Sequence, residues 1–210
     1  NGPVKNLKKY NRILGKDCFK NKIKFLQSPS LEAQIASISD DIAYNSHDLE
    51  DGLKSDLFKI KDLENIPVLK SIIFKHKKRV KTFSIDLVVR QVVREIINEM
   101  VKDIIFTTQN NIKKKNIKNL NDVYKSKYPI VSFSKKMKKF DITIKKFLRK
   151  KMYYHHNVQK KTNEGKKIIN KLFISIKKNP KRYINVSKYD KLNIDRTICD
   201  FIAGMTDRYA

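Results

Sequence analysis

The chain has 210 residues, with 48 Lys and Arg against 21 Asp and Glu and a formal net charge of +27. That length suffices for one domain with a real core, or for the larger part of one. No apolar run approaches what a bilayer-spanning helix needs and no tripartite start reads as a signal peptide, so a cytoplasmic protein without a membrane partner is expected.

Two cysteines, Cys18 and Cys199, lack metal-ligand spacing and are too few for a disulfide framework, which predicts buried free thiols. The charge invites a nucleic-acid partner, because a lysine-rich surface attracts phosphate backbones. Only eight of the 48 basic residues are arginine, however. Abundant Lys, Asn and Ile together are what an AT-rich genome produces without selection for binding, and specific phosphate readers favour arginine forks. Much of the charge is therefore read as a solvated surface that can still draw in nucleotide polyanions.

In chain order, Ser28-Pro29-Ser30 reads as a helix entry ahead of an apolar-periodic segment over 31–45, with Glu32 in the first turn and Gly52 closing the element. Within it Asp40, Tyr44 and Asp48 recur every four residues and so point the same way, while Leu31, Ile35, Ile38, Ile42 and Leu49 mark a neighbouring apolar face. The residue types leave two readings open: a solvated acidic face beside a core stripe, or a metal or phosphate site at the boundary between core and cleft.

Short helices interrupted at Pro67 are expected up to Thr82. The strongest 3.6-residue rhythm follows, over 85–105 after a candidate Ser84 cap, and predicts a long buried helix. Residues 110–126 are polar and basic and read as a mobile surface connection. Beyond Pro129, helices are predicted over about 136–154, 157–178 and 193–205, with Lys177-Lys178-Asn179-Pro180 as the stop between the last two. The outline is all-α, a helical bundle. Five glycines leave little room for a glycine-rich phosphate loop.

Two motifs add more. EAQIASISDDIAYNSHDLEDGL (32–53) resembles the signature that follows the core of the deoxyguanosine triphosphate triphosphohydrolase-like family, a branch of the HD-domain phosphohydrolases, and CDFIAGMTDRYA (199–210) resembles that family's C-terminal motif. MYYHHNV (152–158) is similar to a weaker Met-Tyr-x-His pattern, and 94–105 to a long central helix. The chain opens Asn1-Gly2-Pro3 without a methionine and halts at Ala210, so its ends look like cuts. The resemblance implies the C-terminal part of an HD-domain phosphohydrolase, with residues 1–55 completing the catalytic core, 56–210 forming a helical region on it, and the catalytic groups and most metal ligands upstream of Asn1.

The resemblance further implies a divalent metal such as Mg or Mn with Asp40 as one ligand, and Tyr44 and Asp48 facing a bound deoxynucleoside triphosphate. Asp41 would sit behind the ligand. His47-Asp48 spells the letters for which the superfamily is named, yet the matching dyad lies upstream, leaving His47 on the helix surface. The implied reaction releases inorganic triphosphate from the deoxynucleotide, in a homo-oligomer. Arg94 and Arg208 are candidate phosphate partners; each could instead be locked in an ion pair, Arg208 with Asp207 or Asp200. His155 and His156 are expected to cap or pack rather than bind metal, and His76, among lysines, to be exposed. The competing reading is a non-catalytic basic helical module that binds nucleic acid or regulates a partner.

Overall fold

The computed structural model describes residues 27–80, 85–184, 194–206 and 209. These form helices and the turns between them with no strand among the described residues, as the all-α outline requires. One compact unit runs to Met152 and holds α1 (Leu31–Lys54), α2 (Ile60–Leu63), α3 (Pro67–Val80), α4 (Ile85–Lys114), α5 (Leu120–Lys125) and α6 (Lys135–Leu148). A π-helical stretch (Arg149–Tyr153) follows α6. The second unit, from Tyr153 onward, holds α7 (His156–Lys178), a 3-10 turn (Pro180–Arg182) and α8 (Ile194–Ala203).

α1 starts where Ser30 predicts, its Oγ accepting the Ala33 N–H at 3.3 Å. It does not stop at Gly52. The helix runs on to Lys54, and the left-handed residue that ends it is Asp56, with φ 53°. Leu57 N–H then bonds Gly52 O at 3.0 Å and Asp56 N–H bonds Leu53 O at 3.3 Å, the two bonds of a Schellman ending. Gly52 is buried for another reason: the Phe58 ring occupies the space its Cβ would need.

α4 is the axis of the first unit. Val88, Val89, Val92, Val93, Ile96, Met100 and Ile104 are buried along it, and it packs against both α1 and α3. Facing it are Ile42 and Leu49 of α1 and Leu69, Ile72 and Ile73 of α3, each worth about 1.5–3 kcal/mol when its side chain leaves water. Pro67 opens α3, where its missing N–H costs nothing. α4 extends past residue 105 to Lys114, because apolar rhythm marks only the buried length of a helix and its polar end is held by Asn111. The candidate Ser84 cap lies outside the described residues.

The expected mobile connection over 110–126 is ordered instead. Asn116, at φ 51°, ends α4 in a second Schellman turn. Asn119 and Asp122 then form a capping box at the start of α5. Val123 is buried, and Ser28 N–H bonds Tyr124 O at 3.1 Å. Polarity misled here because Asn and Asp served as caps, which composition alone does not separate from loop.

Three polar side chains stitch the segment before α6 into place. Gln34 Oε1 accepts the N–H groups of Ile130 and Val131 at 2.8 and 3.1 Å. Asn111 Nδ2 donates to Ile130 O at 2.8 Å and Ser132 Oγ at 3.0 Å. Asp103 accepts both Ser134 N–H and Ser134 Oγ–H, at 2.8 and 2.6 Å, and Ser134 in turn caps α6.

In the second unit Ile176, Ile184 and Ile198 form a buried cluster with Phe173, Ile194, Phe201, Ile202 and Met205 packed on it. This joins the C-terminal end of α7 to α8. Cys199 is free and exposed on α8, so the expectation of burial fails there: Ile198 takes the inward position and its neighbour turns out. Cys18 lies outside the described residues.

Candidate functional site: the outer face of α1

Asp40, Tyr44 and Asp48 all belong to α1. Four residues advance a helix by about 40° beyond a full turn, so the three side chains fan over about 80° rather than forming a straight row. Burial follows that drift. Asp40 and Tyr44, the latter 61 % exposed, face away from the packed side defined by Ile42, Asn45 and Leu49, whereas Asp48 is half-buried and engaged by a neighbour. His47 is exposed as expected. At seven residues from Asp40 it lies within about 20° of that side chain, closer in direction than Asp48.

Asp41 takes part in a polar link between two helices. Its carboxylate accepts Lys145 Nζ at 3.0 Å, and the same ammonium bonds Asp141 at 3.0 Å. Asp141 also accepts the buried Asn45 Nδ2 at 3.3 Å. The chain Asn45–Asp141–Lys145–Asp41 thus ties α1 to α6. Partial burial pulls the Lys145 pKa down, but its bonds to Asp41 and Asp141 outweigh this and hold it above the ordinary lysine value. The lysine stays charged, as the pair of carboxylates requires. Asn45 and Asp141 carried no sequence signal as partners, being 96 residues apart.

Arg94 is exposed on α4. Arg208 and Asp207 lie outside the described residues. Asp200, one of the carboxylates expected to hold Arg208, receives Arg196 Nε at 2.8 and 3.0 Å, an i to i+4 pair on α8. His155 Nδ1 accepts the Asn157 N–H at 3.4 Å as the N-cap of α7, the capping role expected of it.

His76 contradicts its expectation of exposure. Its side chain is 12 % exposed and bonds Glu95 Oε2 across the α3–α4 contact, while Lys75 Nζ reaches Glu95 Oε1 at 3.1 Å. The His76 bond leads the causes that lower the Glu95 pKa, with partial burial opposing and Lys75 assisting. His76 Nδ1 is buried without a partner. The lysine-rich context hid this pair because sequence neighbours of a helical residue mostly point elsewhere.

A bundle of this kind, with an acid and tyrosine face turned outward from its packed side, falls in a class the comparisons make definite: residues 131–210 match the family described as a phosphohydrolase-associated domain. The whole chain is 48 % identical to a deoxyguanosinetriphosphate triphosphohydrolase-like protein of Pelagibacter ubique, covering 100 % of this chain and 56 % of that protein. Proteins of the same description from Geobacter sulfurreducens (32 % over 196 residues, 87 % of this chain and 48 % of theirs) and Leptospira interrogans (35 % over 187 residues, 87 % and 49 %) also match. The chain belongs to the deoxyguanosinetriphosphate triphosphohydrolase-like family. It spans about half the length of the curated relatives it matches.

Proposed function

We propose that this chain is part of a metal-dependent hydrolase that cleaves deoxynucleoside triphosphates to deoxynucleoside and inorganic triphosphate. The observation that carries the reading is 48 % identity along all 210 residues to a protein described as deoxyguanosinetriphosphate triphosphohydrolase-like. In this reading residues 1–55 complete the catalytic core and the rest is a helical region beside it. A cytoplasmic setting and a homo-oligomer belong to the same proposal.

Asp40 fits a divalent ion chemically: it is an exposed carboxylate on a regular helix, a hard oxygen donor. No group of three His, Cys, Asp or Glu able to hold a metal occurs among the described residues; in this proposal Asp40 supplies one ligand of a larger set. When bound, the ion supplies charge neutralisation and a nucleophilic water. Tyr44, one turn on and exposed, donates its hydroxyl to a phosphate oxygen. Asp48 accepts from a sugar hydroxyl, a role its partial burial suits better than contact with phosphate. Arg94 and Arg208 are proposed phosphate partners.

The test uses the full-length protein, with metal analysis beside a triphosphate-release assay. Asp40→Ala abolishes release together with metal occupancy. Tyr44→Phe keeps the metal and loses about 10²–10³ in rate if its hydrogen bond meets developing charge. His47→Ala, although it changes the same outward face, stays close to wild type. An Asp40→Ala protein that retains metal and activity would overturn the assignment.

A further inference from the structure

Four polar side chains close a rectangle between α1 and α6. Asp41 and Asn45 stand one turn apart on α1, and Asp141 and Lys145 one turn apart on α6. Asn45 Nδ2 donates to Asp141 at 3.3 Å, and Lys145 Nζ bridges Asp141 and Asp41 at 3.0 Å each. Asn45 and Asp141 are the buried corners, while Lys145 and Asp41 reach solvent. The two α1 corners bear directly on the candidate site. Asp40 immediately precedes Asp41 and Tyr44 immediately precedes Asn45, so each outward side chain is turned by the same angle, about 100°, from a corner of the rectangle.

Apolar packing of Ile42 and Leu49 decides which side of α1 is buried, but it is non-directional and tolerates small rotations. Hydrogen bonds at two levels, one turn apart, do not. A turn of about 10° carries a carboxylate about 6 Å from the helix axis through about 1 Å, and a displacement of that size can cost about 10² in rate. We propose that Lys145 and Asp141 are positioning residues, which fix the rotation of α1 about its axis and so aim Asp40 and Tyr44 at the ion and the triphosphate. This rests on the reading of Asp40 as a metal ligand. α6 lies within residues 131–210, the stretch that matches the phosphohydrolase-associated domain, so the rectangle gives that region a task at the metal site. A role for Lys145 as a mere charge has the opposite sign: an ammonium near a cation site weakens it, and its removal would tighten binding.

The test is Mn²⁺ binding to the full-length protein, followed by the paramagnetic resonance signal of the free ion, with circular dichroism to check helix content. Lys145→Met is expected to weaken Mn²⁺ binding about tenfold, although it removes a positive charge. Lys145→Arg, which keeps the charge and its two carboxylate partners, restores the affinity. Lys146→Met, the same change at the exposed neighbour, causes no loss. If Lys145→Met falls short of the wild-type helix content, Lys145→Gln replaces it, with the same sign expected. Unchanged or tighter Mn²⁺ binding in a folded Lys145 variant would overturn the proposal, as would an equal loss in Lys146→Met. Asp40→Ala, measured alongside, separates the two levels of failure. Should it lose Mn²⁺ while Lys145→Met keeps full affinity, only the positioning role falls; should it keep Mn²⁺, the ligand assignment falls and the positioning role with it.

Discussion

The Phe58 ring occupies the volume that a Cβ on Gly52 would fill, and its edge-to-face packing on Phe147, centroids 4.9 Å apart, holds it there. Phe58 is buried, so it cannot swing away to make room without giving up that packing. Gly52→Ala should therefore destabilise the protein by about 1–3 kcal/mol, although alanine is the better helix former by about 1 kcal/mol. Urea unfolding of the two proteins decides it. A more stable alanine variant would mean that helix propensity, not the ring, governs the position.

The carboxylates around Lys145 are predicted to be unequal. Asp141 is buried and also satisfies Asn45, whereas Asp41 is exposed. Asp141→Ala strands the Asn45 amide and should cost about 1–3 kcal/mol. Asp41→Ala removes a solvated ion pair worth about 1 kcal/mol at most. Matching losses in chemical denaturation would show that the buried bond contributes nothing special.

Glu95 supplies a pH signature. Its pKa in the folded protein is held below the ordinary 4.5, first by the His76 bond. A lowered carboxyl pKa means that the stabilisation is fully present above the ordinary value and is lost as pH falls through the folded one. The stability gap between wild type and Glu95→Gln should accordingly be present above the ordinary carboxyl value of 4.5 and shrink as pH falls below it. A gap that stays level in acid would remove Glu95 from the balance.

Gln34 is the acceptor for two consecutive buried N–H groups, those of Ile130 and Val131. Gln34→Ala leaves both unsatisfied, at about 1–3 kcal/mol each. Hydrogen exchange at these two amides should accelerate well beyond that of the α4 core. Unchanged protection would mean that other groups hold the segment.

Helix positions followed from local information. The Ser30 cap, the Pro67 start, the Val and Ile rhythm of α4 and the stop at Asn179 each depend on residues within a few positions of one another. The family also showed in two contiguous motifs, since a motif on one helix needs no long-range pairing to be recognised. Asp40 and Tyr44 were placed on one outward face by their spacing, and Asp48 was nearly so.

Tertiary structure decided what spacing could not. Whether Gly52 ends a helix or admits a ring depends on Phe58 arriving from the next turn, and Asp41 was spoken for by a lysine on α6. His76, surrounded by lysines in sequence, turned inward to a glutamate on another helix. Each of these outcomes turns on a partner brought close by packing. Periodicity reports which side of a helix is buried, but the identity of the neighbour on that side is set by how the helices meet.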